Sequence, residues 1–164
     1  MSMSEPLKPV FSSLTLDMAS RMLDEALRIR FKEELMPLAV VVLDAGGHLV
    51  AFKREDGCGV MRFDVAFGKA WAALGMGMST RLIRDRMANR PAFQSALASA
   101  SDGRFIPVPG GVLILNSDGM AIGAMGISGD ASDRDEFCAI NAIQTVGLRS
   151  EPKDPQPEWR TAGL

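Results

Sequence analysis

Apolar residues recur along this chain in two rhythms, a three-to-four spacing that marks helices and short continuous or alternating runs that mark strands. From Thr15, the side chains of Leu16, Ala19, Leu23, Ala26, Leu27 and Phe31 share one predicted helical face. Arg21, Asp24, Glu25, Arg28, Lys32 and Glu33 cover the other, with opposite charges three and four residues apart, as on a solvated surface. Thr15 is the expected N-cap and Pro37 the stop. Residues 38–43, LAVVVL, are continuously apolar and β-branched, which predicts a strand covered on both faces. Asp44-Ala45-Gly46-Gly47 then turns the chain into an alternating strand over 48–53.

Residues 63–74 predict a second helix with Phe63, Ala66, Phe67, Ala70, Trp71 and Leu74 inward. Gly68 in its middle costs about 1 kcal/mol against Ala, so close packing is expected there. Gly75-Met76-Gly77-Met78 ends this helix, and Ser79 caps another that carries Arg81, Arg84, Arg86 and Arg90. With Asp85 among them, these arginines read as a solvated face or a subunit contact. Pro91 starts a short helix over 91–98, and Ser101-Asp102-Gly103 turns the chain again. Strands follow at 112–115 and 120–128, joined by Asn116-Ser117-Asp118-Gly119. Gly123, Gly126 and Gly129 interrupt the second of these, implying close approach by a helix or a ligand. A last helix over 132–146 turns Phe137, Ala139, Ile140, Ile143 and Val146 inward. Beyond it Pro152, Pro155 and Pro157 predict a non-helical tail, with Trp159 placed to dock on a neighbouring subunit. Helix, hairpin, helices, hairpin, helix is the order of an α+β fold, an antiparallel sheet covered by helices.

A chain of 164 residues suits one core, divided here into an arm over 1–14, a domain over 15–148 and a Pro-rich tail over 149–164. A net charge of −2 gives no basic field for nucleic acid, and no apolar run reaches the length of a membrane helix. No basic segment followed by an apolar run marks a secretory signal, so a cytoplasmic protein is expected. Two cysteines without a CxxC spacing argue against zinc or a disulfide framework. One histidine and no tyrosine leave no three-His metal site within a subunit, and acid–base work falls to carboxylates, lysine, cysteine and one imidazole.

The acidic group Asp130, Asp133, Asp135 and Glu136 opens the last helix, where carboxylates complement free N–H groups and the helix dipole. It lacks the glycine and glutamate of a calcium loop, so no dedicated metal site is expected. Asp130, in the loop, is the strongest acid–base candidate, with Glu136 beside it. The glycine series is not GxGxxG and no Walker lysine is present, so no nucleotide site is expected. Pro109-Gly110-Gly111, preceding a strand, either presents bare N–H groups with Gly129 nearby or is a plain bend. Lys69, Arg54, Arg62 and Arg104 flank strand ends and loops and suit a small carboxylate or a propionate-bearing cofactor. Cys58, between two glycines, has nothing beside it to lower its pKa and reads as inert.

Several of these stretches together resemble the GlcG/HbpS family: PVPGGVLI, then IGAMGISGDASDRDE, preceded in order by VVVLDAGGHLVAFKREDG, VAFGKAWAALGMG and RPAFQSAL. The resemblance spans 15–148. It implies a profilin-like domain with a central antiparallel sheet of about five strands and helices on both faces, forming homo-oligomers. It also implies a small-molecule pocket near the PGG strand and the SGD loop, with haem or another tetrapyrrole as the first ligand. His48 is then the candidate haem ligand, as the sole imidazole. The alternative is a cofactor-independent catabolic enzyme in which Asp130 or Glu136 moves a proton while Lys69 or Arg62 holds an organic acid. A third reading is an accessory protein that only assembles.

Overall fold

The computed structural model describes residues 5–164, so the first four residues of the expected arm lie outside the described residues. Helix α1 (Leu16–Lys32) begins where Thr15 Oγ1 accepts the Met18 amide at 3.2 Å. Its buried stripe is Ala19, Met22, Leu23, Ala26 and Ile29. Leu16 and Phe31, expected inward, are instead 64% and 78% exposed. At 3.6 residues per turn Phe31 lies roughly 140° from the centre of the true stripe. The methionine and isoleucine that complete that stripe were the better guide.

Five strands form one antiparallel sheet in the order β2-β1-β4-β3-β5. They are β1 (Ala39–Asp44), β2 (Leu49–Arg54), β3 (Gly111–Leu115), β4 (Ala121–Ser128) and β5 (Arg149–Glu151). Strand alternation splits the core in two. Val40, Val42, Val112, Ile114, Met125 and Ile127 pack toward α1 and α5 (Ser132–Thr145). Ala39, Val41, Leu43, Leu113 and Ala124 pack toward α2 (Arg62–Met76). Helices α3 (Thr80–Met87) and α4 (Pro91–Ala100) extend the α2 side, where Ile83 and Met87 join Ala72 and Phe105 in a satellite cluster. The α+β architecture with helices on both faces is thus the one expected.

Small residues let α2 lie close to the sheet. A Cβ on Gly126 would fall 1.8 Å from the Ala66 carbonyl oxygen, so a helix, not a ligand, occupies the space that glycine leaves. Gly68 does the same on the other side, where a Cβ would meet Ile106 at 2.3 Å.

The C-terminal segment departs from a plain tail. Arg149–Glu151 adds the fifth strand beside β3, with Ile114 opposite Ser150. Trp159 opens a 3-10 turn (Trp159–Thr161), is buried, and stacks on Phe137 at a ring separation of 3.6 Å. Its partner is therefore α5 of its own chain and not a neighbouring subunit. The prolines forbid a helix here, but they do not forbid edge pairing.

Candidate functional site

The sheet has two chemically different ends. Strand pairing sets Ala39 opposite Ser128 at one end and Asp44 opposite Gly123 at the other. Five residues of strand make these ends roughly 17 Å apart. The expected pocket at the PGG strand and SGD loop belongs to the first end, whereas His48 follows the turn at the second.

At the first end the dominant feature is a buried ion pair. Lys69 and Asp135 are 2% and 1% exposed at their side chains, with Nζ 3.0 Å from Asp135 Oδ2. The ammonium also donates to the Ile127 carbonyl at 2.9 Å, and Asp135 Oδ1 accepts the Asp130 amide at 3.0 Å. Burial pushes the Asp135 carboxyl upward, and Lys69 with the Asp130 N–H opposes that. The PGG motif makes room for this lysine. A Cβ on Gly110, whose φ is +118°, would stand 2.8 Å from Lys69 Nζ, and one on Gly111 would stand 2.3 Å from the Lys69 carbonyl oxygen. The Gly111 amide is already bound to Thr80 Oγ1 at 2.8 Å, and Pro109 is buried with both glycines.

Asp130 is also occupied. Its carboxylate accepts the amides of Met36 at 2.8 Å and Ala131 at 2.7 Å, and Arg134 Nη1 lies 3.1 Å away. Burial works to raise its pKa, but these three donors together hold it below the ordinary value. Asp130 thus locks the loop between α1 and β1 to the start of α5. Nearby, Arg62 Nη1 reaches Ser128 Oγ at 3.3 Å, next to Gly129, and Arg54 is exposed at the end of β2. The half-buried Cys58 thiol is pushed up by burial, against Arg62 and Arg54, which keeps it protonated and unreactive.

Glu136 does not join Lys69 and Asp130. One helix position beyond Asp135, it turns toward α3, where Arg81 Nη1 stands 3.3 Å from Oε1. Both carboxylate oxygens are buried without a hydrogen bond among the described residues. Burial raises Glu136 to about 7, with Arg81 pulling down and Asp133 pushing up. Arg81 Nη2 also donates to the Asp154 carbonyl at 2.9 Å, and Arg84 lies 3.9 Å from Asp133. Two of the arginines expected on a solvated face therefore answer the acidic start of α5. Spacing alone could not reveal this, because the partners lie some fifty residues apart in sequence.

The second end is more open. Asp44 Oδ1 accepts the amides of Gly46 and His48, both at 2.9 Å, and lies 3.3 Å from His48 Nδ1. The imidazole is 81% exposed, and its Nε2 has no protein hydrogen bond among the described residues. Behind the turn stands Trp71 of α2, whose Nε1 would be 3.1 Å from a Cβ on Gly47. The Trp71 indole forms a wall of two hollows. One, of about 140 Å³, lies on the side of Ala45, Gly46 and Gly47. The other, of about 170 Å³, lies toward Met76, Leu97 and Phe105. Arg104 sits over the indole with its guanidinium carbon 4.6 Å from the ring centroid. The spacing of apolar residues in α2 predicts Trp71 as a core residue, and nothing in helical spacing distinguishes a wall from a core.

Residues 14–144 match the model of the family described as haem degrading protein HbpS-like. The chain belongs to that HbpS-like family. Among curated proteins, this HbpS-like chain is 28% identical over 132 residues to an uncharacterised 15.0 kDa protein of the dhaT-dhaS intergenic region of Citrobacter freundii, covering 80% of the chain and 91% of that protein. It is 26% identical to the corrinoid adenosyltransferase PduO of the same organism, over 78% of the chain but 38% of PduO. Among solved structures, a PduOC–haem complex superposes with a TM-score of 0.75 at 24% identity, covering 84% of this chain and 98% of that one. The ORFY protein of Klebsiella pneumoniae gives 0.72 at 25%, covering 88% and 97%. A double mutant of Streptomyces reticuli HbpS gives 0.70 at 23%, covering 90% and 95%. These superpositions establish a shared fold over nearly the whole sheet and its helices.

Proposed function

We propose that this HbpS-like protein binds a tetrapyrrole, haem first, on the open face at the His48 end of the sheet. The observation that carries the reading is the Asp44–His48 pair. Asp44 Oδ1 lies 3.3 Å from Nδ1, without a hydrogen bond between them, and the exposed Nε2 is left for a metal; a carboxylate on the far nitrogen is the partner that ligating histidines commonly have. The haem named with the PduOC relative supports the same choice of ligand. The residues fit a haem held on an exposed shelf and not one enclosed in a cavity. Ligand pockets that enclose a cofactor run to about 300–1,000 Å³, and each hollow beside Trp71 is smaller. When bound, haem supplies iron-centred ligand or electron chemistry. The chain contributes the imidazole, which lies against Gly46, and the Trp71 edge, which lies against Gly47.

The test is a haemin titration followed in the Soret region, with His48→Ala alongside. Saturable one-to-one binding that weakens at least about tenfold in the variant supports iron ligation by His48, since that fold-change corresponds to about 1.4 kcal/mol. Saturable binding indifferent to the variant removes His48 from the site, and non-saturating binding removes haem. Against the catabolic-enzyme reading, Lys69 and Asp130 are committed to separate partners at the first end; in its favour, Glu136 faces Arg81 at 3.3 Å with both carboxylate oxygens free of hydrogen bonds among the described residues. Assembly into a homo-oligomer remains part of the proposal. Leu7, Val10 and Phe11 of the N-terminal arm are 98%, 90% and 90% exposed, and light scattering before and after removal of residues 1–12 tests whether they mediate it.

A further inference from the structure

The second hollow beside Trp71 is separate from the His48 shelf and has a chemistry of its own. Trp71, Met76, Leu97, Ala100 and Phe105 give it apolar walls, and Ser101 is its polar member. Its volume is about 170 Å³. A protein cavity of about 150 Å³ with comparable apolar walls accommodates one benzene molecule. The volume is of the order that a single six-membered ring needs and well below that of a porphyrin.

The walls also differ in firmness. Phe105 is buried and packs with Ile83 and Met87, and Trp71 is anchored on α2. Helix α4, which supplies Leu97 and Ala100, has no buried residue along its ten positions. One side of the hollow is therefore fixed and the other is able to adjust to a guest.

A cation that does not itself line the hollow contacts two residues that do. Arg104 lies over the Trp71 ring and donates through Nε to the carbonyl of Ser101, itself a lining residue. Two hydrogen bonds of α4's C-terminal turn, Ser101 amide to Leu97 and Gly103 amide to Ala98, hold that segment and hence the guanidinium in place. The Nη groups make no hydrogen bond among the described residues, and the residue is exposed. A planar guanidinium beside an aromatic slot is matched by a carboxylate on an aromatic ring.

We infer that the hollow between α2 and α4 is a binding site for a monocyclic aromatic carboxylic acid, its ring between Trp71 and Phe105 and its carboxylate at Arg104. This site neither uses His48 nor requires haem.

Benzoate is the probe, with benzyl alcohol as its uncharged counterpart. Binding is read from the indole N–H resonance of Trp71, assigned by comparison with Trp159→Phe, because only two tryptophans are present. Benzoate is expected to shift that resonance saturably with one site. Ala100→Phe and, independently, Leu97→Phe should fill the hollow and abolish the shift, with circular dichroism confirming the fold of at least one of them. Arg104→Met should weaken benzoate roughly fivefold, as for a partly exposed ion pair, while leaving benzyl alcohol unchanged. Absence of a saturable shift with benzoate overturns the site, as does an undiminished shift in a folded filled variant. Equal losses of benzoate and benzyl alcohol in Arg104→Met overturn the carboxylate assignment. His48→Ala should leave benzoate untouched, so the fate of the haem proposal is read separately.

Discussion

Replacing Lys69 by Met separates a structural role from a binding role for the most conspicuous charge in the molecule. The side chain is nearly isosteric in its aliphatic part, so the variant chiefly removes the ammonium. What is lost is the 3.0 Å contact to Asp135 and the 2.9 Å hydrogen bond to Ile127. What remains is an Asp135 carboxylate that is 1% exposed and keeps one donor, the Asp130 amide. Removing one partner of a buried pair costs about 3–5 kcal/mol, largely because the other charge stays buried without compensation. Against a total stability of about 5–15 kcal/mol, this leaves a folded but fragile protein. For a chain of this size the melting temperature should fall by roughly 6–20 °C at pH 7.5.

The assay is urea denaturation followed by tryptophan fluorescence and circular dichroism, at pH 7.5 and pH 5.5, for Lys69→Met, Asp135→Asn and the double variant. In Lys69→Met the orphaned carboxyl has a folded pKa above its unfolded value. Its contribution is greatest below the unfolded pKa and is lost as pH rises through the folded pKa. Lys69→Met should therefore lie closer to wild type at pH 5.5 than at pH 7.5. The double variant, which keeps an amide oxygen for the Asp130 N–H and buries no charge, should recover most of the loss. A Lys69→Met protein within about 1 kcal/mol of wild type at pH 7.5 would refute this reasoning, because an uncompensated buried carboxylate cannot be that cheap. A double variant no better than the single one would refute it equally.

Other perturbations test other joints of the fold. Gly126→Ala would put a methyl 1.8 Å from the Ala66 carbonyl oxygen, which is backbone and cannot swing aside, so soluble folded protein should not be recovered at 37 °C. Glu136, raised by burial from the ordinary 4.5 to about 7, contributes stability that is complete below pH 4.5 and disappears as pH rises through 7. Glu136→Gln should remove that decline and gain up to about 3 kcal/mol over wild type at pH 8, read from urea midpoints at several pH values. Asp130, held below its ordinary pKa, behaves in the opposite sense. Its contribution is present at neutral pH and is lost on acidification, and Asp130→Asn should destabilise by about 1–3 kcal/mol at pH 7 with little effect on haemin binding.

Much of the fold was legible because it rests on local signals. The continuous run at 38–43 became a strand buried on both faces, Ser79 capped α3, and Pro91 opened α4. The glycine at 126 announced a close approach, and α2 made it. Less was legible where partners are remote. Lys69 stood out as a charge among apolar residues, but its pairing with Asp135 crosses 66 positions and four elements. The four acids opening α5 looked like one cluster of helix-end carboxylates. In the fold Asp130 ties down the α1–β1 loop, Asp135 meets Lys69, and Glu136 meets Arg81, since consecutive helix positions point about 100° apart. The fifth strand was hidden for the opposite reason. Three residues before a run of prolines carry too short a pattern to read, and only the free edge of β3 makes them a strand.

The division between the two ends of the sheet bears on where ligand chemistry can reside. Function often sits on loops held by a rigid scaffold, and rigidity has to be built from something. At the SGD end, glycines that admit the helix, a sealed ion pair and a carboxylate that accepts two backbone amides all act on one another. Each would be disturbed if a ligand took any member. At the His48 end, the corresponding polar groups have capacity left over: an imidazole nitrogen without a protein partner among the described residues, a guanidinium above an indole, and two hollows sharing that indole as a wall. A residue engaged on every side can be essential without touching a ligand, whereas one with unused donors on a firm support can bind. On that criterion Lys69 and the PGG strand hold α2 against the sheet, Asp130 holds the α1–β1 loop against α5, and Trp71, carried on α2, is the side chain on which the two binding proposals depend.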